Sequence, residues 1–211
     1  EELRNYFDEF QDRGELNGKN VRSLYRGFTA EKFKTPTKEA DTFTLVLEEE
    51  ASLLDEVLAH QPAQLATKDG VPNKKWSNVK TKLLDIDTTA SHFVKVPENH
   101  IVIDFDLKDS NGTKSLQRNL EAASIWPPTY AELSQSGSGV HLHYTYDGDV
   151  GELASDYAPG IEVKVYRGDA SLRRRVSFCN GLGVARISSG LPLKEKKEKM
   201  LSSKTITSEK G

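Results

Sequence analysis

Apolar and polar positions alternate with period two along three stretches of the chain, the pattern of strands that bury one face. His100 to Leu107 reads HIVIDFDL, Val140 to Tyr146 reads VHLHYTY, and Ile161 to Tyr166 reads IEVKVY. Residues two apart point the same way, so Ile101, Ile103 and Phe105 oppose Asp104 and Asp106. In the second stretch Val140, Leu142, Tyr144 and Tyr146 oppose His141, His143 and Thr145. In the third, Ile161, Val163 and Val165 oppose Glu162, Lys164 and Tyr166. Between the first two, Leu116, Leu120 and Ala123 recur at helical spacing over Ser115 to Ile125, and Trp126-Pro127-Pro128 ends that helix.

The beginning of the chain has a helical rhythm. Leu3, Tyr6, Phe7 and Phe10 predict a helix over Glu2 to Asp12; Leu53, Leu54, Val57 and Leu58 predict another from about Glu48 to His60, behind an acidic first turn. Phe43 to Leu47 alternates as a short strand. After Pro62, Lys68-Asp69-Gly70 and Pro72-Asn73 are turn signals. The expected fold class is therefore mixed α/β (α+β). Residues 1–58 read as a mainly helical accessory segment, 59–193 as the core, and 194–211 as a charged tail leading to a further domain.

Composition narrows the function. The 211 residues carry 29 Lys and Arg against 32 Asp and Glu, a net charge of −3, which excludes a polycation that coats nucleic acid indiscriminately. Any grip on phosphates must be local. No apolar run approaches the ~18 residues of a membrane span. The single cysteine, Cys179, excludes an internal disulfide and a Cys-rich zinc finger, and fits a reducing, cytoplasmic setting. The chain opens at Glu1 without an initiator Met, so flanking domains of a longer protein are expected.

The polar faces of the three strands carry the candidate chemistry. Asp104-x-Asp106 sets two like charges a few ångströms apart, which is unfavourable unless a cation sits between them; Mg²⁺ or Mn²⁺ suits such hard oxygens, and Glu162 offers a third carboxylate. His141-x-His143 would equally suit zinc. Before it, Ser134-Gln135-Ser136-Gly137-Ser138-Gly139 offers hydroxyls and close backbone approach to a phosphate. Arg173, Arg174 and Arg175, with Arg167 and Arg186 nearby, form the main basic cluster, and guanidinium groups bind phosphate bidentately. Lys74-Lys75-Trp76 joins cations to a ring on which a base can stack. His60, His92 and His100 read as surface or packing residues.

Taken in order, IVIDFDLKD, SGSGVHLHY and IEVKVY resemble the three motifs of the archaeo-eukaryotic primase superfamily, in its phage and plasmid primase-polymerase branch, over roughly residues 68–194. The resemblance implies an RRM-like antiparallel sheet beside a smaller α/β unit. It implies a two-metal site of Mg²⁺ or Mn²⁺ on Asp104, Asp106 and Glu162, with His141 as a further catalytic residue. Ser136, Ser138, Gly139, His141, Lys164 and the arginines 173–175 would meet the nucleoside triphosphate. A single-stranded DNA template would be a partner, with Lys75 and Trp76 as contacts, and a helicase is a common neighbour in the family. Phage-encoded members work in the host cytoplasm. Two other readings share these residues: a metal-dependent nuclease or phosphoesterase with His141, His143 and Asp104 around Zn²⁺ or Mn²⁺, and a non-catalytic nucleic-acid- or nucleotide-binding module.

Overall fold

The computed structural model describes residues 44–195. The helix expected over Glu2 to Asp12 and most of the charged tail lie outside them. The described residues belong to one compact unit. Its described elements are α1 (Leu53–Leu58), β1 (Ala63–Leu65), β2 (His92–Val94), β3 (His100–Phe105), α2 (Leu116–Ser124), β4 (Ala131–Leu133), β5 (Val140–Tyr146), β6 (Asp156–Ala158), β7 (Ile161–Val165), β8 (Leu172–Arg174) and β9 (Ala185–Ile187). The class is mixed α/β, built mainly on antiparallel pairing.

The larger sheet runs β4-β5-β3-β7-β6, with β9 added in parallel to β5 beyond the end of β4. The smaller runs β1-β2-β8. The three alternating stretches of sequence are thus the three central neighbours of one sheet, with β3 paired antiparallel to β5 and β7. Alternation separates their two faces as expected. Ile101, Ile103, Phe105, Val140, Leu142, Tyr144 and Val163 form one core, over which α2 lays Ala123, Leu116 and Leu120. On the opposite face Val102 joins a second core with Leu172 and Val94 of the small sheet and Leu54 and Leu58 of α1.

Two expectations near the start are corrected. The helix expected from Glu48 to His60 is confined to Leu53–Leu58, because Glu49 exchanges backbone hydrogen bonds with Cys179 and Ser52 caps α1 by accepting from the Asp55 N–H. The acidic first turn is then Asp55 and Glu56. Residues 44–47 form no strand: the Leu45 N–H donates to the Ser124 hydroxyl, and Leu45 is buried in the first core. No described helix is long and apolar enough to cross a membrane.

Candidate functional site

Register builds a polar row across the large sheet. Glu132 of β4 faces His141 of β5, His141 faces Asp104 of β3, and Asp104 faces Glu162 of β7. Each lies on the face away from α2. His143, Val102 and Lys164 align in the next row.

Asp104 is the centre of the first row. Lys164 Nζ lies 2.7 Å from its Oδ2 and 3.4 Å from Glu162, and His141 Nε2 lies 3.3 Å from its Oδ1. Burial would raise the Asp104 pKa, but His141 and Lys164 outweigh it and hold the carboxyl at about 2. Burial likewise opposes charge on His141, yet Asp104 and Glu132, on its two sides, lift it to about 9. The ring is therefore an imidazolium at neutral pH. Lys164 is also raised: its partial burial works against the charge, and Asp104 and then Glu162 prevail.

The Glu132 end is sealed. Arg174 Nη2 lies 2.7 Å from Glu132 Oε2, and Arg174 Nε donates to both carboxylate oxygens. Arg174 also reaches Asp55 at 2.6 Å and the hydroxyls of Ser52 and Tyr130. Burial alone would raise Glu132, but Arg174 holds it well below the usual carboxylate range. His143 Nε2 sits 3.3 Å from Glu132, and His143 Nδ1 is 3.0 Å from His100 Nε2. Burial lowers the pKa of both histidines, His100 to about 3. These neutral rings read as one donor chain, with His100 Nε2–H donating to His143 Nδ1 and His143 Nε2–H turned toward Glu132.

One potential ligand atom each from Glu132, His141 and His143 lies within 4.8 Å of the others, a grouping that would suit a transition metal. Its charge balance is already met, since Arg174 neutralises Glu132 and the positively charged His141 ring lies between Glu132 and Asp104. A dication here would stand against a buried guanidinium.

Beside the row lies an open cleft of about 450 Å³, walled by Asp104, Asp106, Lys114, the Ser134–Ser136 stretch, His141 and Arg173. Asp106 lies just past β3, where Lys114 Nζ donates to both its oxygens at 2.7 and 2.8 Å. The serine loop turns at Gly137, with φ +75°. Its hydroxyls form a chain, Ser134 to Ser136 at 3.0 Å and Ser136 to Ser138 at 3.1 Å. A Cβ on Gly139 would fall 2.9 Å from Asp106 Oδ1 and 3.0 Å from the Phe105 carbonyl, so glycine is what lets the loop lie against the end of β3. Buried Asn119 of α2 fixes the same junction: its Nδ2 donates to the Ser138 carbonyl and its Oδ1 accepts from the Leu107 N–H.

The structure thus brings together Asp104, Asp106, His141, Glu162, Lys164, the serine loop and Arg173. It removes Arg174 from the expected phosphate contacts, because β8 turns that side chain inward to a relative exposure of 1 %. Arg175 is exposed but is not part of the cleft wall, and Lys75 and Trp76 line a separate hollow. The sequence reading missed Glu132, Asn119 and the partnership of His100 with His143. No protein-family profile matches the chain, and no curated protein matches it either.

Proposed function

We propose that the chain is the catalytic domain of a primase-polymerase, which transfers a nucleotide from a ribo- or deoxyribonucleoside triphosphate to a 3′-hydroxyl on a single-stranded template. The observation that carries this reading is the row itself: the strands bearing Asp-x-Asp, His and Glu are neighbours, with Asp104 between His141 and Glu162 at the edge of a cleft walled by hydroxyls and Arg173. The arrangement of β5, β3 and β7 fits the RRM-like sheet that the sequence motifs imply.

Asp104, Asp106 and Glu162 would hold Mg²⁺ or Mn²⁺. The donors are hard oxygens, and the Asp104 carboxylate stays ionised with its pKa at about 2, which fits a cation ligand. Bound there, the ions would neutralise triphosphate charge and favour ionisation of the 3′-hydroxyl. Without them, Lys164 and Lys114 lie against Asp104 and Asp106 and offset their repulsion. The charged His141 ring, Arg173 and the Ser136 hydroxyl face the cleft and would orient the phosphates by charge-assisted hydrogen bonds. Arg174 does not touch substrate in this scheme; it holds Glu132 behind His141.

The test is incorporation of labelled nucleotides on a single-stranded template, with and without primer, in Mg²⁺ and in Mn²⁺. Asp104→Asn is expected to lower incorporation by at least about 100-fold in protein whose circular dichroism is unchanged. Undiminished incorporation by a clean preparation of that variant would sink the assignment. Stoichiometric zinc accompanied by hydrolysis, with no incorporation, would favour the phosphoesterase reading that the Glu132, His141 and His143 grouping allows.

A further inference from the structure

A second concentration of positive charge lies outside the cleft. Residues 68–82 hold five lysines and one acid, Asp69, in a chain of net charge −3. Among the described residues no acid pairs with Lys74 or Lys75. Both are exposed on a segment held in place. The buried Gln64 side chain clasps the Lys74 backbone twice, accepting from its N–H at 2.6 Å and donating to its carbonyl at 2.9 Å. Trp76 follows in a single turn of 3₁₀ helix, half-buried, with Lys95 Nζ 5.0 Å from its ring centroid. Lys95 is itself fixed by donating to the Gly168 and Ala170 carbonyls. Lys74, Lys75 and Trp76 line an open hollow of about 740 Å³, on whose wall Asp169 is the one acid.

The loop that carries the hollow touches the cleft wall at Gly70. Gly70, at φ +72°, lies so close to Arg173 that a Cβ would come 2.6 Å from its guanidinium, and Arg173 also walls the cleft. The loop from Gly70 to Trp76 therefore leads from the candidate active site to the ring.

We infer that Lys74, Lys75 and Trp76, continued by Arg173, form a track for a single-stranded nucleic acid. Ammonium and guanidinium groups match a row of phosphates, and an indole ring takes an unstacked base, which a duplex does not offer. Identifying that strand as template or primer rests on the proposed polymerase activity; the binding does not require it.

The test is binding of a labelled oligothymidylate to the whole chain in chelator, without nucleotide, over a range of salt. Lys74→Glu/Lys75→Glu is expected to weaken binding at least tenfold and to make the slope of log K against log salt shallower by about 1.4, at about 0.7 for each phosphate that a lysine no longer neutralises. Trp76→Ala should cost about fivefold or more, and Trp76→Tyr, which keeps a ring, should bind more tightly than Trp76→Ala. The control Arg118→Glu/Lys194→Glu, two exposed cations outside the hollow and the cleft, should stay within about twofold of the unaltered chain. Equal loss in the control, duplex bound as tightly as single strand, or no binding by the unaltered chain would each overturn the track. Binding that behaves as expected alongside absent incorporation would overturn the polymerase assignment and leave the track standing.

Discussion

The two ends of the polar row hold carboxylates of similar chemistry under opposite regimes. At the Glu132 end the countercharge is a buried guanidinium with fixed geometry, backed by Asp55, Ser52 and Tyr130. At the Glu162 end it is the ammonium of Lys164, whose side chain is 43 % exposed, on a flexible stem. The first arrangement is satisfied and closed to ligands. The second holds its charges against half-exposed ammonium groups, Lys164 on Asp104 and Lys114 on Asp106. Accessibility of the countercharge, more than the number of acids, separates the two ends.

Breaking the closed end should have the largest effect on folding. Arg174→Met leaves Glu132 buried without its partner and is expected to lower stability by about 3–5 kcal/mol in urea denaturation. Adding Glu132→Gln to it should recover much of that loss, since the uncompensated charge is gone. A loss below about 1 kcal/mol for Arg174→Met would erase the contrast between the two ends.

The junction between the ends is His141, and pH tests it. Its pKa is raised from 6.5 to about 9, so its charge contributes stability fully below pH 6.5, and that contribution is lost as pH rises through about 9. Stability is expected to fall by roughly 2–3 kcal/mol between pH 7 and 10, with His141→Asn flattening the profile. Asp104 is the mirror case: depressed to about 2, its contribution is complete above pH 3.8 and is lost as pH falls through about 2. A denaturation midpoint that does not move from pH 7 to 10 would contradict the imidazolium.

The open end should tolerate change best. Lys114→Gln removes a half-exposed ion pair worth less than about 1 kcal/mol, so the thermal midpoint should barely move. By freeing Asp106 it should lower several-fold the Mn²⁺ concentration needed for half-maximal incorporation. An unchanged or higher requirement would mean that Lys114 does not compete with the cation.

The sequence made β3, β5 and β7 readable because each is long enough for alternation to speak, and α2 because Ser115 caps it and two prolines follow. Their adjacency was legible only through resemblance of the motif order, since pairing is decided by contacts distant in sequence. β4 spans three residues, too few for a period to mark Glu132 as inward. In Arg173-Arg174-Arg175 the chemistry of three identical groups hid the geometry: alternation on β8 exposes Arg173 and buries Arg174, and Arg175, just past the strand, is exposed. Likewise, nothing local to His100 points to His143, 43 residues away; only antiparallel register brings them together.

The arginine that closes the row also sets a timing for biosynthesis. Asp55 and Ser52 wait for a partner 119 and 122 residues further along the chain. At ribosomal speeds of about 5–20 residues per second, roughly 6–24 s separate their synthesis from that of Arg174. Until then Glu132 has no guanidinium, and the nascent sheet carries an acid that favours water over the interior. The His141 side of the site thus acquires its final electrostatics only when β8 arrives, late in the emergence of the domain.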